Sequence, residues 1–269
     1  RGAWSLGCLG ALHLIAVLPC PIMWWFCVVQ QCAIPAVFSF HTAIFLAPLM
    51  YLVLLHPTTP LAAFSGAKSR KPGQQHLGIY LRAMTSTNNL DHILSALVGF
   101  FALALFGIGL FVICRLTSAP GRFLGVSVLH LRGLLSNFGL PSDPRPMVAF
   151  AAYFSFVNPI AEELFWRAFL RSELLSSGAR GDYATLVVAF LYASYHLIIT
   201  GSLMPLWFSI FLAFPFLFIF GLKLQWIANS RHTLLTAIGI HSGLDFAAAA
   251  WILDLRYGWL DSYLNAPVI

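Results

Sequence analysis

Seven long apolar runs, at residues 3–29, 33–55, 93–116, 147–174, 183–199, 203–227 and 234–252, organise the chain. A helix needs about 20 mostly apolar residues to cross the hydrocarbon of a bilayer, so each run is a candidate span. The runs are continuously apolar. Barrel strands would instead show segments of about ten residues with alternating polarity. Lipid also demands that every backbone donor and acceptor be satisfied within the protein, which a helix does by itself. The fold class expected is therefore all-α, a polytopic membrane helix bundle of about seven to eight transmembrane helices. Charge agrees: nine acids and fifteen bases in 269 residues, 9% of the chain, cannot coat a soluble surface.

The net charge of +6 is spread between the apolar runs and forms no patch for nucleic acid. These bases read as topology determinants and contacts to anionic lipid. The five cysteines, Cys8, Cys20, Cys27, Cys32 and Cys114, lie in or beside apolar runs without a C-x-x-C pair, so they read as small buried side chains. The chain opens on Arg1 rather than Met, as a fragment or a processed form does. The longest hydrophilic connection, residues 56–92, carries Lys68, Arg70, Lys71 and Arg82 and is expected in the cytoplasm. Counting spans forward puts the connections around Arg171/Arg180 and Lys223/Arg231 on the same side. One connection runs against the rule: residues 117–145 fall on the other side, yet hold Arg122, Arg132 and Arg145 just after Arg115. Its apolar stretch 123–140 reads as an interfacial helix or an eighth span.

Two of the three glutamates stand together inside an apolar run, in Asn158-Pro-Ile-Ala-Glu162-Glu163-Leu-Phe-Trp-Arg167. Charges at membrane depth cost about 2.5–3.5 kcal/mol each on insertion scales, so they need partners or a function. Arg167 lies four residues after Glu163, the favourable order for a helical ion pair. Glu162 has Trp166 at that spacing and must find its partner on another helix. Asn158-Pro159 is expected to cap a restarted helix. Tyr192 and His196 are four apart in the next run, and His241 and Asp245 share one face of the last. His13 and His41, in the first two runs, read as interhelical hydrogen-bonding residues. Bringing the ionisable groups of these three runs into one wet cavity is cheaper than burying them separately.

Glu-Glu-x-x-x-Arg, aromatic-x-x-x-His and His-x-x-x-Asp, in this order on successive helices, resemble the CPBP family, the type II CAAX prenyl endopeptidases and their bacterial relatives, also called Abi proteins. The resemblance covers about residues 147–252. It implies a catalytic helical core at 147–253, preceded by N-terminal helices and loops at 1–146 and followed by a short tail at 254–269. It also implies an intramembrane peptidase in which Glu162 and His196 hold and activate a water while His241 and Asp245 meet the oxyanion. Glu163, Arg167 and Tyr192 would support that site. Three positions depart from the usual motifs: Tyr192 stands for Phe, Ala168 for Gly and Asp245 for the commoner Asn. An ionised Asp would repel an oxyanion, so Asp245 must be protonated or act by orienting His241.

Hydrolysis by an activated water has a physical basis of its own, because a base must take a proton as the bond forms and donors must meet the developing charge. The expected partners are the lipid bilayer and a peptide or membrane-protein substrate, prenylated or not. No nucleic acid and no cofactor are expected. The localisation expected is that of an integral multi-pass membrane protein, in the cell membrane if the source is prokaryotic. Glu162, His196 and His241 resemble a zinc set, but H-E-x-x-H is absent and metal is not favoured. A catalytically silent immunity or scaffold protein of the same fold is the main alternative, followed by a metalloprotease and a proton-coupled transporter.

Overall fold

The computed structural model describes residues 3–55, 89–119, 121–229 and 234–261. The basic connection expected in the cytoplasm, with Lys68, Arg70, Lys71 and Arg82, and the last eight residues of the C-terminal tail, 262–269, lie outside these residues. The chain begins with α1 (Ala3–Val17) and α2 (Pro19–Met23), continued by a π-helical turn at Trp24–Val29. Next come α3 (Ala33–Leu55) and α4 (Asn89–Thr117). A two-stranded antiparallel hairpin, β1 (Arg122–Phe123) with β2 (Val126–Ser127), leads into α5 (Val128–Asn137). Then α6 (Pro144–Glu163) passes through a π-helical segment, Leu164–Leu170, into α7 (Arg171–Ser176). The rest is α8 (Gly181–Leu203), α9 (Leu206–Phe208), a π-helical turn at Ser209–Ala213, α10 (Phe214–Asn229) and α11 (Leu234–Tyr257).

Six helical stretches among the described residues are long and apolar enough to cross a membrane: Gly10–Val29, Ala33–Tyr51, Leu90–Thr117, Gly181–Leu203, Leu206–Asn229 and Leu234–Tyr257. The α6–α7 run makes a further pass, less apolar because it carries Glu162, Glu163, Arg167, Arg171 and Glu173. Contacts at its two ends show this. At one end, Ala33 N–H bonds Phe138 O at 3.0 Å and the Tyr257 hydroxyl bonds Pro141 O at 2.8 Å, so the starts of α3 and α6 and the end of α11 lie together. At the other, Arg171 donates to Asn229 Oδ1 at 3.1 Å, joining α7 to the end of α10. The protein is thus an integral multi-pass bundle. The stretch at 123–140 is not an eighth span, because α5 has only ten residues, a rise of about 15 Å.

The expected restart at Asn158-Pro159 is also corrected. The helix runs through Pro159 to Glu163, and the side chain of Asn158 turns into the core instead of capping. Neighbouring helices and polar side chains make such prolines tolerable inside a bundle. The start of α6 lies earlier, where Asp143 caps it by accepting from the Arg145 N–H at 3.0 Å and Pro144 takes the first turn.

The closest seam joins α4 to α11. A Cβ at Gly239 would meet Ala96 O at 2.3 Å, and one at Gly243 would meet Phe100 O at 2.3 Å. Both contacts advance by four residues on each helix, so the two run parallel with backbones touching, the use to which small-xxx-small spacing is put in membranes. At the far end of this seam, Asp261 binds Arg115 at 2.6 Å and Arg132 at 2.5 Å. Two of the arginines that run against the charge rule are therefore held in a structural cluster.

Candidate active site

Glu162 and Glu163 end α6, Arg167 lies on the π-helical continuation, Tyr192 and His196 lie on α8, and His241 and Asp245 lie on α11. The structure brings all seven into one region between these helices. Glu162, Glu163, Arg167, Tyr192, His241 and Asp245 are buried; His196 alone is half-buried.

The two glutamates have different surroundings. Glu163 Oε1 accepts from Arg167 Nη1 at 2.8 Å, as the spacing predicts, and also from His241 Nδ1 at 2.8 Å. Glu162 touches no cation. Its Oε1 accepts from Asn158 Nδ2 at 2.9 Å and its Oε2 from the hydroxyl of Tyr195. The partner on another helix that the sequence required is thus a neutral donor on α8. A carboxylate has about four lone-pair sites, so two donors leave room for a further proton donor.

His241 is held from both sides. With Nδ1–H directed at Glu163, Nε2 faces the Tyr192 hydroxyl at 3.3 Å and Asp245 Oδ1 at 3.6 Å. The last distance is beyond a hydrogen bond, so the carboxylate that orients the ring directly is Glu163. Asp245 Oδ2 instead accepts the second Asn158 Nδ2 proton at 2.9 Å. The hydroxyl that Tyr192 adds to the usual ring meets His241, and its ring carries the Arg167 guanidinium 4.5 Å from the centroid. His196 donates Nδ1–H to Tyr192 O at 2.7 Å, which leaves Nε2 as an acceptor. Among the described residues no hydrogen bond joins His196 to Glu162, although the two interact electrostatically.

Three participants were not assigned to the site from sequence. Asn158 is four residues before Glu162, a spacing at which an amide reaches a carboxylate on the same helix face. Tyr195 puts a hydroxyl in an apolar run beside His196, and its ring lies 4.0 Å from the imidazole. His41 reaches Asn158 Oδ1 from α3 at 2.8 Å, an interhelical bond of the expected kind but at an unexpected place. Its spacing offered no signal, because it lies over a hundred residues away. Among the described residues, no group of three or more His, Cys, Asp or Glu side chains is arranged to hold a metal ion.

Residues 144–247 match the family model of type II CAAX prenyl endopeptidases described as Rce1-like. No curated protein and no solved structure matches the chain. The matched segment contains every residue of the network except His41.

Proposed function

We propose, from the premise that residues 144–247 belong to the CPBP family of type II CAAX prenyl endopeptidases, that Glu162 is the general base of a glutamate-dependent peptide hydrolysis within the membrane. The observation that carries this reading is the division of labour between the paired carboxylates. Glu163 is engaged through Oε1 by Arg167 and His241, whereas Glu162, equally buried, is held only by neutral donors. A carboxylate free of cation contact, with two donors on its two oxygens, has lone pairs left for the proton of a bound water.

The proposed reaction needs no cofactor. A water between Glu162 and His196 Nε2 gives its proton to Glu162 as its oxygen adds to the scissile carbonyl carbon. The carbonyl oxygen becomes an oxyanion, and His241, with Nδ1–H on Glu163 and a proton on Nε2 as well, donates to it through Nε2–H. The proton on Glu162 then passes to the amide nitrogen, the C–N bond breaks, and the products are a carboxylic acid and an amine. Asp245 serves by holding Asn158 and facing the imidazole, not by touching the oxyanion.

The family supports a substrate arriving along the membrane, and a prenylated C-terminal peptide is the reading we favour. The test uses purified protein in nanodiscs with two quenched fluorescent peptides ending in a CAAX tetrapeptide, one farnesylated and one not. Wild type should cleave the farnesylated peptide at one bond, and Glu162→Gln should lose the activity while remaining inserted. Full cleavage by Glu162→Gln would sink the glutamate mechanism, and equal cleavage of both peptides would sink the prenyl preference. An inert wild type would favour the silent scaffold.

A further inference from the structure

Consecutive residues of α3, Phe40 and His41, reach both of the donors that hold Glu162. The Phe40 ring stacks on Tyr195, centroids 5.1 Å apart, and Tyr195 donates to Oε2. His41 Nε2 meets Asn158 Oδ1 at 2.8 Å, and Asn158 donates to Oε1. The amide has a fixed polarity. Turned over, Asn158 would present Oδ1 to Glu162 Oε1 and Asp245 Oδ2, three acceptors without a proton between ionised groups. What keeps it the right way round is a donor at its oxygen. His41 supplies one only as the Nε2–H tautomer, and the Tyr153 hydroxyl, 2.6 Å from Nδ1, favours that tautomer by donating to the other nitrogen. Tyr153 and Asn158 both belong to α6, so the imidazole is gripped at both nitrogens by the helix it organises.

We infer that His41 is a positioning residue of the active site, acting through the Asn158 carboxamide to aim donors at Glu162 and Asp245. The working unit therefore extends beyond residues 144–247 into the second apolar run. The inference deepens the glutamate mechanism and rests on it for its effect on rate, but its structural content stands apart. Gln at position 41 can still offer an N–H to Asn158, and Leu cannot.

The experiment has two readouts. Steady-state cleavage of the farnesylated peptide is measured for wild type, His41→Gln, His41→Leu, Asn158→Ala, the His41→Leu/Asn158→Ala double variant and Glu162→Gln. His41→Leu should lower kcat at least about tenfold with KM within about twofold, and Gln should recover kcat to within about threefold. The double variant should be no slower than Asn158→Ala, since both changes break one chain of contacts. Separately, long-range ¹H–¹⁵N spectra of histidine-labelled protein should show His41 as the Nε2–H tautomer, giving way to a mixture in Asn158→Ala. A wild-type kcat in His41→Leu, independent losses that multiply, or a tautomer unchanged by Asn158→Ala would overturn the inference. If His41→Leu does not fold, the Gln variant and the spectra decide. Glu162→Gln cleaving at the wild-type rate would instead overturn the glutamate mechanism and the effect on rate. Loss of cleavage there beside an indifferent His41→Leu would remove the His41 role alone.

Discussion

At the scale of single residues, the adjacent carboxylates should fail in different ways. Glu162→Gln removes the proposed base, whose oxygens face neutral donors, and should lower cleavage by about 10²–10⁴ with little loss of stability. Glu163→Gln leaves Arg167 buried without its counter-charge, and broken pairs of that kind cost about 3–5 kcal/mol. It should reduce both the thermal midpoint and the rate, because His241 Nδ1 then faces a neutral amide in place of a carboxylate. Measuring Tm and kcat for both variants in the same nanodiscs checks this, and equal loss of Tm in the two would contradict the assignment. Asp245 separates charge from geometry. Asn at this position still accepts from Asn158 and should retain substantial activity, whereas Leu should lose most of it. An Asn variant as inactive as Leu would mean that the carboxylate itself takes part.

Among the elements, α11 places His241 between two glycines that let α4 approach to backbone contact. Gly243→Val puts a branched side chain against Phe100 O, so the seam must open or α11 must rotate. Overpacking costs about 1–3 kcal/mol in ordinary cores, and here it also displaces His241 and Asp245. A lower Tm with a larger fall in kcat is expected, while Gly109→Ala, on α4 with open space at its Cβ, should be silent in both. The start of α6 offers a pH test. The Arg145 guanidinium beside Asp143 holds its carboxyl below the usual carboxylate range. A lowered value in the folded state means a cap present above the ordinary carboxylate pKa and lost as pH falls through the lowered one. Amide exchange at Arg145 and Met147 should accordingly accelerate below about pH 4, and Asp143→Ala should show that fast exchange at neutral pH.

For the molecule as a whole, the proposed chemistry predicts that activity survives metal removal. Elemental analysis of active protein should find no stoichiometric zinc, and a chelator series should leave kcat unchanged. Zinc at one equivalent, with activity lost to chelator and restored by zinc, would make the protein a metalloenzyme. The seven passes follow from runs of apolar residues, a local property that lipid enforces on each segment separately. The pair of Glu163 with Arg167 was legible for the same reason, being set by helical period. So was the need of Glu162 for a partner elsewhere, though not its identity as Tyr195. The continuation of α6 through Pro159 was not legible, because a proline breaks or merely bends a helix according to what packs around it.

Sequence by itself determined the bundle, the polar groups that must be sheltered in it and the spacing of the motifs they form, because burial costs and helical period act within a few turns of chain. Tertiary structure alone decided which group holds which from one helix to another. It assigned His241 Nδ1 to Glu163, left Asp245 to Asn158, and brought His41 across from α3. Hydrogen bonds depend on the position and direction of atoms far apart in the chain, and neither is set until the helices have packed.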